Sequence, residues 1–176
     1  GSLQEVQIPG SVKTICEGAF GNCKNLNKLT LAEGLQIMEE SAFEACEALK
    51  EINLPRSLEY LGPKVFARCK SLESVLLPEK LETICLDAFR GCGNLKEILV
   101  EEGNHAYCAV DGILYNAEKT ALLYCPGGKK LREFAVGDNV SVLGDHAFID
   151  CEELEKIVIP ASVKEIGSEV FVRHQW

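Results

Sequence analysis

Nine cysteines and three histidines are the side chains with which this 176-residue chain would bind a metal, form disulfides or build a nucleophile. Five of the cysteines (Cys23, Cys46, Cys69, Cys92 and Cys151) share one phase of a recurring pattern. Stacked rungs lie about 4.8 Å apart, inside the Cα range of a disulfide. In-register side chains point in parallel, however, and a disulfide needs its Cβ vectors turned toward each other. Zinc needs ligands converging from about four directions, which a straight ladder cannot supply. The column is therefore expected to hold buried free thiols that act as small hydrophobes. Cys16 and Cys85 fall three rungs apart, on the order of 14 Å, too far to pair. Cys108 and Cys125 flank a predicted hairpin and are the one pair that a disulfide would suit, with free thiols as the alternative.

The histidines, His105, His146 and His174, have no repeated partner. A nucleophile needs a base within hydrogen-bond reach and a third group to orient that base. The sequence shows no such arrangement, no glycine-rich phosphate loop and no metal-ligand cluster. It predicts no catalytic residue, no cofactor and no metal: a chain that is not an enzyme.

What positions these residues is a repeat. A leucine recurs at Leu3, Leu26, Leu49, Leu72 and Leu95, each 23 residues after the last, and again at Leu131 and Leu154. A fixed period of this size marks a solenoid, in which each unit buries its apolar face against its neighbours. Seven units then make one continuous core over residues 3–176, and Gly1-Ser2 reads as a cloning remnant.

Each unit has three pieces. The first runs Leu-x-x-Val-x-Ile, as in Leu3, Val6 and Ile8, and its last two residues alternate with the period of a half-buried strand. Proline ends that strand at Pro9, Pro55, Pro78 and Pro160, because it has no N–H to continue a ladder. The second is a turn and a short apolar pair, as in Val12-x-x-Ile15, read as a second short strand. The third is Ala19-Phe20-x-x-Cys23 and its copies, whose spacing places three side chains on one face of a helical turn. Pro63, Asp145 and Ser168 stand where such turns would start or be capped. The phenylalanines are expected to stack as the spine of a rod roughly 30 Å long.

The interval from Leu95 to Leu131 is 36 residues, 13 more than the period. Inside this insertion, near 103–128, two β-prone runs flank Asn116-Ala117-Glu118-Lys119-Thr120 and read as a hairpin. After Phe171 the tail leaves the pattern, and Trp176 is placed to fold over the open end of the stack.

Leu-x-x-Val-x-Ile-Pro-x-Ser-Val-x-x-Ile, followed by Ala-Phe-x-x-Cys-x-x-Leu, resembles the BspA-like leucine-rich repeat family over essentially the whole chain. The segment from Asn104 to Tyr115, with Tyr124-Cys125-Pro126-Gly127-Gly128, is similar to a hairpin common in that family. The resemblance implies bacterial or protozoan surface or secreted proteins, several with adhesive roles, and implies no catalytic residue. The expected fold is a leucine-rich-repeat solenoid of α/β class: a right-handed superhelix of parallel strands with one short helical turn per 23-residue repeat.

Acidic residues outnumber basic ones by 27 to 18, a formal charge of −9. That argues against nucleic acid, whose phosphates need a basic stripe. No run approaches the roughly 18 apolar residues of a membrane span. On the outer face of the first strands, Glu5 with Lys28 and Lys50 with Glu73 are expected as cross-strand pairs. The outward central column reads Gln7, Thr30, Asn53, Leu76, Leu99, Ala135, Val158, and its last four members are apolar. Such a stripe is usually covered. Either an extracellular protein or glycan docks on Leu76, Leu99, Ala135 and Val158, or the insertion folds back over them with Tyr107, Tyr115 or Tyr124. The first outcome predicts an interaction module using strand face and hairpin, and the second favours structural spacer repeats. Exposed sheet edges at the two ends predict a monomer or weak end-to-end self-association.

Overall fold

The structure is a computed structural model that describes residues 2–171, so the position proposed for Trp176 lies outside the described residues. The regular units contribute a second strand of two residues and, except in the third, a first strand of up to four. In the first four units these are β1 (Glu5–Ile8), β2 (Thr14–Ile15), β3 (Lys28–Leu31), β4 (Ile37–Met38), β5 (Tyr60–Leu61), β6 (Ser74–Leu77) and β7 (Thr83–Ile84), and the fifth opens with β8 (Glu97–Val100). Pairing is parallel and offset by one repeat: Val6 faces Leu29, Val75 faces Ile98, and Ile37 faces Tyr60. The in–out alternation read from the sequence holds in β6, where Val75 and Leu77 are buried and Leu76 is exposed. Fully burying each such side chain contributes about 1.5–3 kcal/mol, which is why the pattern dictates the register.

The second strands form a continuous four-stranded sheet, β2-β4-β5-β7. The first strands do not. Ile52 of the third unit is buried in phase, but residues 51–54 join neither neighbour's ladder, leaving β1-β3 and β6-β8 as separate pairs.

The third side of the solenoid corrects the expected helical turn. Ala42, Phe43 and Cys46 are fully buried together, as the spacing requires, but the backbone is a run of tight turns. Left-handed φ values recur at Asn22 (61°), Ala45 (59°), Arg68 (58°) and Gly91 (79°), and at Gly18, Ser41 and Lys64 four residues earlier. A helix would return these N–H groups to its own carbonyls. Here alternate N–H groups point to the next unit instead: Phe20 N donates to Ala42 O at 2.8 Å, Phe43 N to Val65 O at 2.9 Å and Phe148 N to Val170 O at 2.8 Å. The expected caps serve the same end, since Asp145 Oδ1 accepts from Ser168 N of the following unit at 2.8 Å.

Phe20, Phe43, Phe66 and Phe89 stack with centroids 5.1, 5.5 and 5.9 Å apart and planes within 10°. The stack then stops. Cys125 N donates to Ala147 O at 2.8 Å, the bond a phenylalanine makes elsewhere, so Cys125 stands at the ring position of the fifth unit. Phe134, from the first strand of the sixth unit, lies against Phe148 at 5.6 Å, tilted by 52°. Phe148 and Phe171 resume the parallel stack at 5.9 Å.

The insertion adds β9 (Tyr107–Val110), β10 (Ile113–Asn116) and β11 (Ala121–Tyr124), then a 3₁₀ turn at Gly127–Lys129. β10 and β11 are the expected hairpin, and β9 extends it to an antiparallel meander. Its last strand returns to the solenoid path. β11 runs parallel to β13 (Val142–Leu143), which pairs with β15 (Glu165–Ile166), while β12 (Glu133–Ala135) pairs with β14 (Lys156–Val158). Two buried clusters result, one centred on the first four units and one on the last three.

Candidate functional site

Four thiols of the cysteine column donate to backbone. Cys46 Sγ lies 3.2 Å from Phe20 O, Cys69 Sγ 3.3 Å from Phe43 O, Cys92 Sγ 3.1 Å from Phe66 O and Cys151 Sγ 3.5 Å from Cys125 O. Each thus satisfies a carbonyl of the preceding unit, a polar role that their reading as small hydrophobes leaves out. Burial pushes the Cys46 and Cys92 thiols up to about 12. The same cause raises Cys69, whereas in Cys151 the contact with Cys125 raises it first and burial adds to it. Thiols this hard to ionise are poor nucleophiles and poor metal ligands.

All nine cysteines are free, so the Cys108–Cys125 disulfide is not formed. Cys108 Sγ contacts Asn116 O at 3.3 Å across the β9–β10 pair, whereas Cys125 is buried in the second core. Among the described residues no group of three His, Cys, Asp or Glu is arranged to hold a metal, and no helix is long and apolar enough to cross a membrane.

The apolar stripe is open. Leu76 is 47% exposed, Leu99 42% and Val158 51%, and Ala135 is exposed as well. It is not four adjacent rungs, however. Leu76 faces Leu99 across β6-β8, and Ala135 faces Val158 across β12-β14. Between these pairs Gly112 of the insertion is laid on β8, with its carbonyl accepting Ile98 N at 2.9 Å. A Cβ on Gly112 would lie 2.8 Å from that of Glu97, and φ there is +77°, so the site requires glycine. Lys129 Nζ fastens the turn by donating to Asp111 O at 2.5 Å.

The insertion does not cover the stripe with its tyrosines, because all three turn inward. Tyr124 is 2% exposed, and its hydroxyl donates to Asp150 and sits 3.2 Å from Phe89 O. Tyr107 Oη accepts Ile84 N at 3.0 Å, closing the edge that β7 offers to a missing rung. Tyr115 is 8% exposed. Their aromatic area completes cores that an interrupted repeat would otherwise leave open. Tyr115 and Tyr124 are therefore not surface anchors. A count back from Leu131 carries this signal: six residues before each of Leu26, Leu49, Leu72, Leu95 and Leu154 stands the ring, and here that position is Cys125, with Tyr124 in the alanine column.

Of the expected surface pairs, Lys28 and Glu5 approach at 3.9 Å. Among the described residues Lys50 and Glu73 form no ion pair; they line an open cleft of about 620 Å³ beside the loosened third rung. Asp150, unremarked in the sequence, bridges units: its Oδ2 accepts Gly91 N at 3.1 Å besides the Tyr124 hydroxyl.

Parallel ladders at a 23-residue offset, a ring stack and an outward strand face define a leucine-rich-repeat solenoid. The family model for the BspA type leucine rich repeat region matches residues 1–107 and 121–175 in six copies, and the chain belongs to that family. Among solved structures, it is similar to a leucine-rich repeat protein from Eubacterium ventriosum, with 25% identity and TM-score 0.80 over 97% of this chain and 51% of that one. The pneumococcal vaccine antigen PcpA matches with 25% identity and TM-score 0.75 over 97% of this chain and 50% of that one. A leucine rich cell surface protein from Faecalibacterium prausnitzii matches with 26% identity and TM-score 0.71, over 97% and 52%. The chain thus spans about half the length of these relatives. No curated protein matches it. Fold and family are of a generally non-catalytic kind.

Proposed function

We propose that this chain is a non-catalytic interaction module of a cell-surface or secreted protein, binding an extracellular protein or glycan through the strand face. The observation that carries the reading is the cross-strand pair Leu76–Leu99, apolar, adjacent and uncovered by the insertion. An exposed apolar pair on a rigid sheet offers area and shape at little ordering cost, and no bond need be made or broken. The surface character of two relatives agrees with it: one is named as a cell surface protein, the other as a vaccine antigen. A charge of −9 disfavours nucleic acid.

The test compares the chain with a Leu76→Lys/Leu99→Glu variant, whose opposite charges face each other and spare the sheet a like-charge clash. Both are measured for binding to a panel of extracellular-matrix proteins and glycans after their melting curves are matched. Binding lost in the folded variant supports the module. Absence of binding by the unmodified chain overturns it in favour of structural spacer repeats in a larger surface protein.

A further inference from the structure

Where the insertion replaces the regular turn of the fifth unit, it leaves a cleft of about 240 Å³ beside the turn of the sixth. In the first two units successive turns lie against each other, so that a Cβ on Gly10 would fall 2.5 Å from Glu33 O. A Cβ on Gly137, in the sixth turn, would meet nothing within 4 Å. Val110, Tyr115 and Val140 wall the space, and Lys119, Asp138 and Asn139 stand around it.

One turn of the repeat shows what such an N–H pair can receive. In the third unit the adjacent N–H groups of Arg56 and Ser57 donate to the two carboxylate oxygens of Glu33, at 3.0 and 3.2 Å, one to each. Asp138 and Asn139 occupy the same places in the sixth turn, because Val140 N returns to Gly137 O as Leu58 N returns to Pro55 O. Among the described residues their N–H groups have no acceptor. The residue matching Glu33 in the fifth unit, Glu102, comes before the insertion. Tyr115, buried as a residue, lines the cleft, and its hydroxyl has no partner among the described residues. Lys119 supplies a positive charge on the same cleft, and the Asp138 carboxylate is the one opposing group on its rim.

We infer that this cleft is a carboxylate-binding site that takes the acidic side chain of a partner polypeptide, a glutamate above all. The paired N–H groups receive the carboxylate as Arg56 and Ser57 receive Glu33, Lys119 offsets its charge, and Val110 and Val140 pack its methylenes. An N–H pair aimed at an anion binds by charge-assisted hydrogen bonds, which are stronger than neutral ones. The site deepens the reading of the chain as an interaction module but lies on other residues than the Leu76–Leu99 pair, so the two fail separately.

The test is titration of the ¹⁵N-labelled chain with N-acetylglutamate amide, N-acetylglutamine amide and glucuronate, following the amide signals of Asp138 and Asn139. Saturable downfield shifts of both with the glutamate compound alone are expected. Lys119→Gln should weaken that binding severalfold, and Leu76→Lys/Leu99→Glu should leave it unchanged. Shifts absent from the two amides, or equal with the glutamine compound, overturn the proposal. Saturation by glucuronate without the glutamate compound also overturns it, by moving the site to acidic glycans.

Discussion

The Tyr124 hydroxyl donates to the Asp150 carboxylate, and through the same oxygen Asp150 accepts Gly91 N, 59 residues away. The bond thus joins three units at the point where the repeat is broken. Tyr124 is buried and Asp150 and Gly91 are half-buried, and burial together with the neighbouring Asp150 pushes the Tyr124 hydroxyl well above its ordinary pKa. Removing one partner loses a hydrogen bond to a charged group, although the Tyr124 hydroxyl keeps Phe89 O and Asp150 keeps Gly91 N. Tyr124→Phe is expected to destabilise the chain by about 1–2 kcal/mol and Asp150→Ala by about 2–3 kcal/mol. Urea unfolding of both single variants and the double variant should show a coupling energy above about 0.5 kcal/mol.

The thiol ladder makes stability fall at alkaline pH. A thiol ionises near 8.5 in the unfolded chain, whereas Cys46 and Cys92 in the fold reach about 12. Between these values the folded state holds more protons than the unfolded one. Stability from these groups is therefore complete below pH 8 and declines as pH rises toward 12, by about 1.4 kcal/mol per pH unit for each thiol. Urea midpoints under reducing conditions should drop more steeply between pH 8 and 10 for the native sequence than for Cys46→Ala/Cys92→Ala.

The same burial predicts a graded reactivity. Cys16 is exposed, while Cys46, Cys69, Cys92, Cys125 and Cys151 are buried. A thiol-labelling reagent at pH 8 should modify Cys16 within minutes and leave those five intact until denaturant is added, as read by peptide mass spectrometry.

Phe134 lies against Phe148 next to the unit where Cys125 stands at the ring position, which predicts an exchange of volume between the two. The small residue stands at a ring position, and a ring stands in a strand column otherwise filled by Val, Leu and Ile. Cys125→Phe alone should overpack the second core and cost about 1–3 kcal/mol. Phe134→Val alone should open a cavity at a cost of about 2–4 kcal/mol. The double variant should cost less than the sum, because the new ring at 125 fills the space vacated at 134. Additive costs in a denaturation series would refute the exchange.

Leu76→Lys/Leu99→Glu should change stability by no more than about 0.5 kcal/mol, since both side chains point to solvent. A larger loss in thermal melting would mean that the pair supports the sheet.

Much of this molecule is legible one residue at a time. The period of the leucines, the alternation of Val75, Leu76 and Leu77, and the shared phase of Phe43 and Cys46 determine the solenoid, its register and its core, because each is a local pattern repeated in step. Only the tertiary structure decided the rest. The third piece of each unit gives its N–H groups to the next unit instead of to itself, a choice set by neighbours 22 residues on, as with Phe20 and Ala42. The insertion's tyrosines turn inward because Ile84 N, Phe89 O and Asp150 are left open by the lost rung. Gly112 divides the apolar stripe because Ile98 N needs an acceptor that no strand supplies. Each outcome depends on which backbone groups remain unpaired across the break, and that is a property of the assembled stack, not of any one repeat.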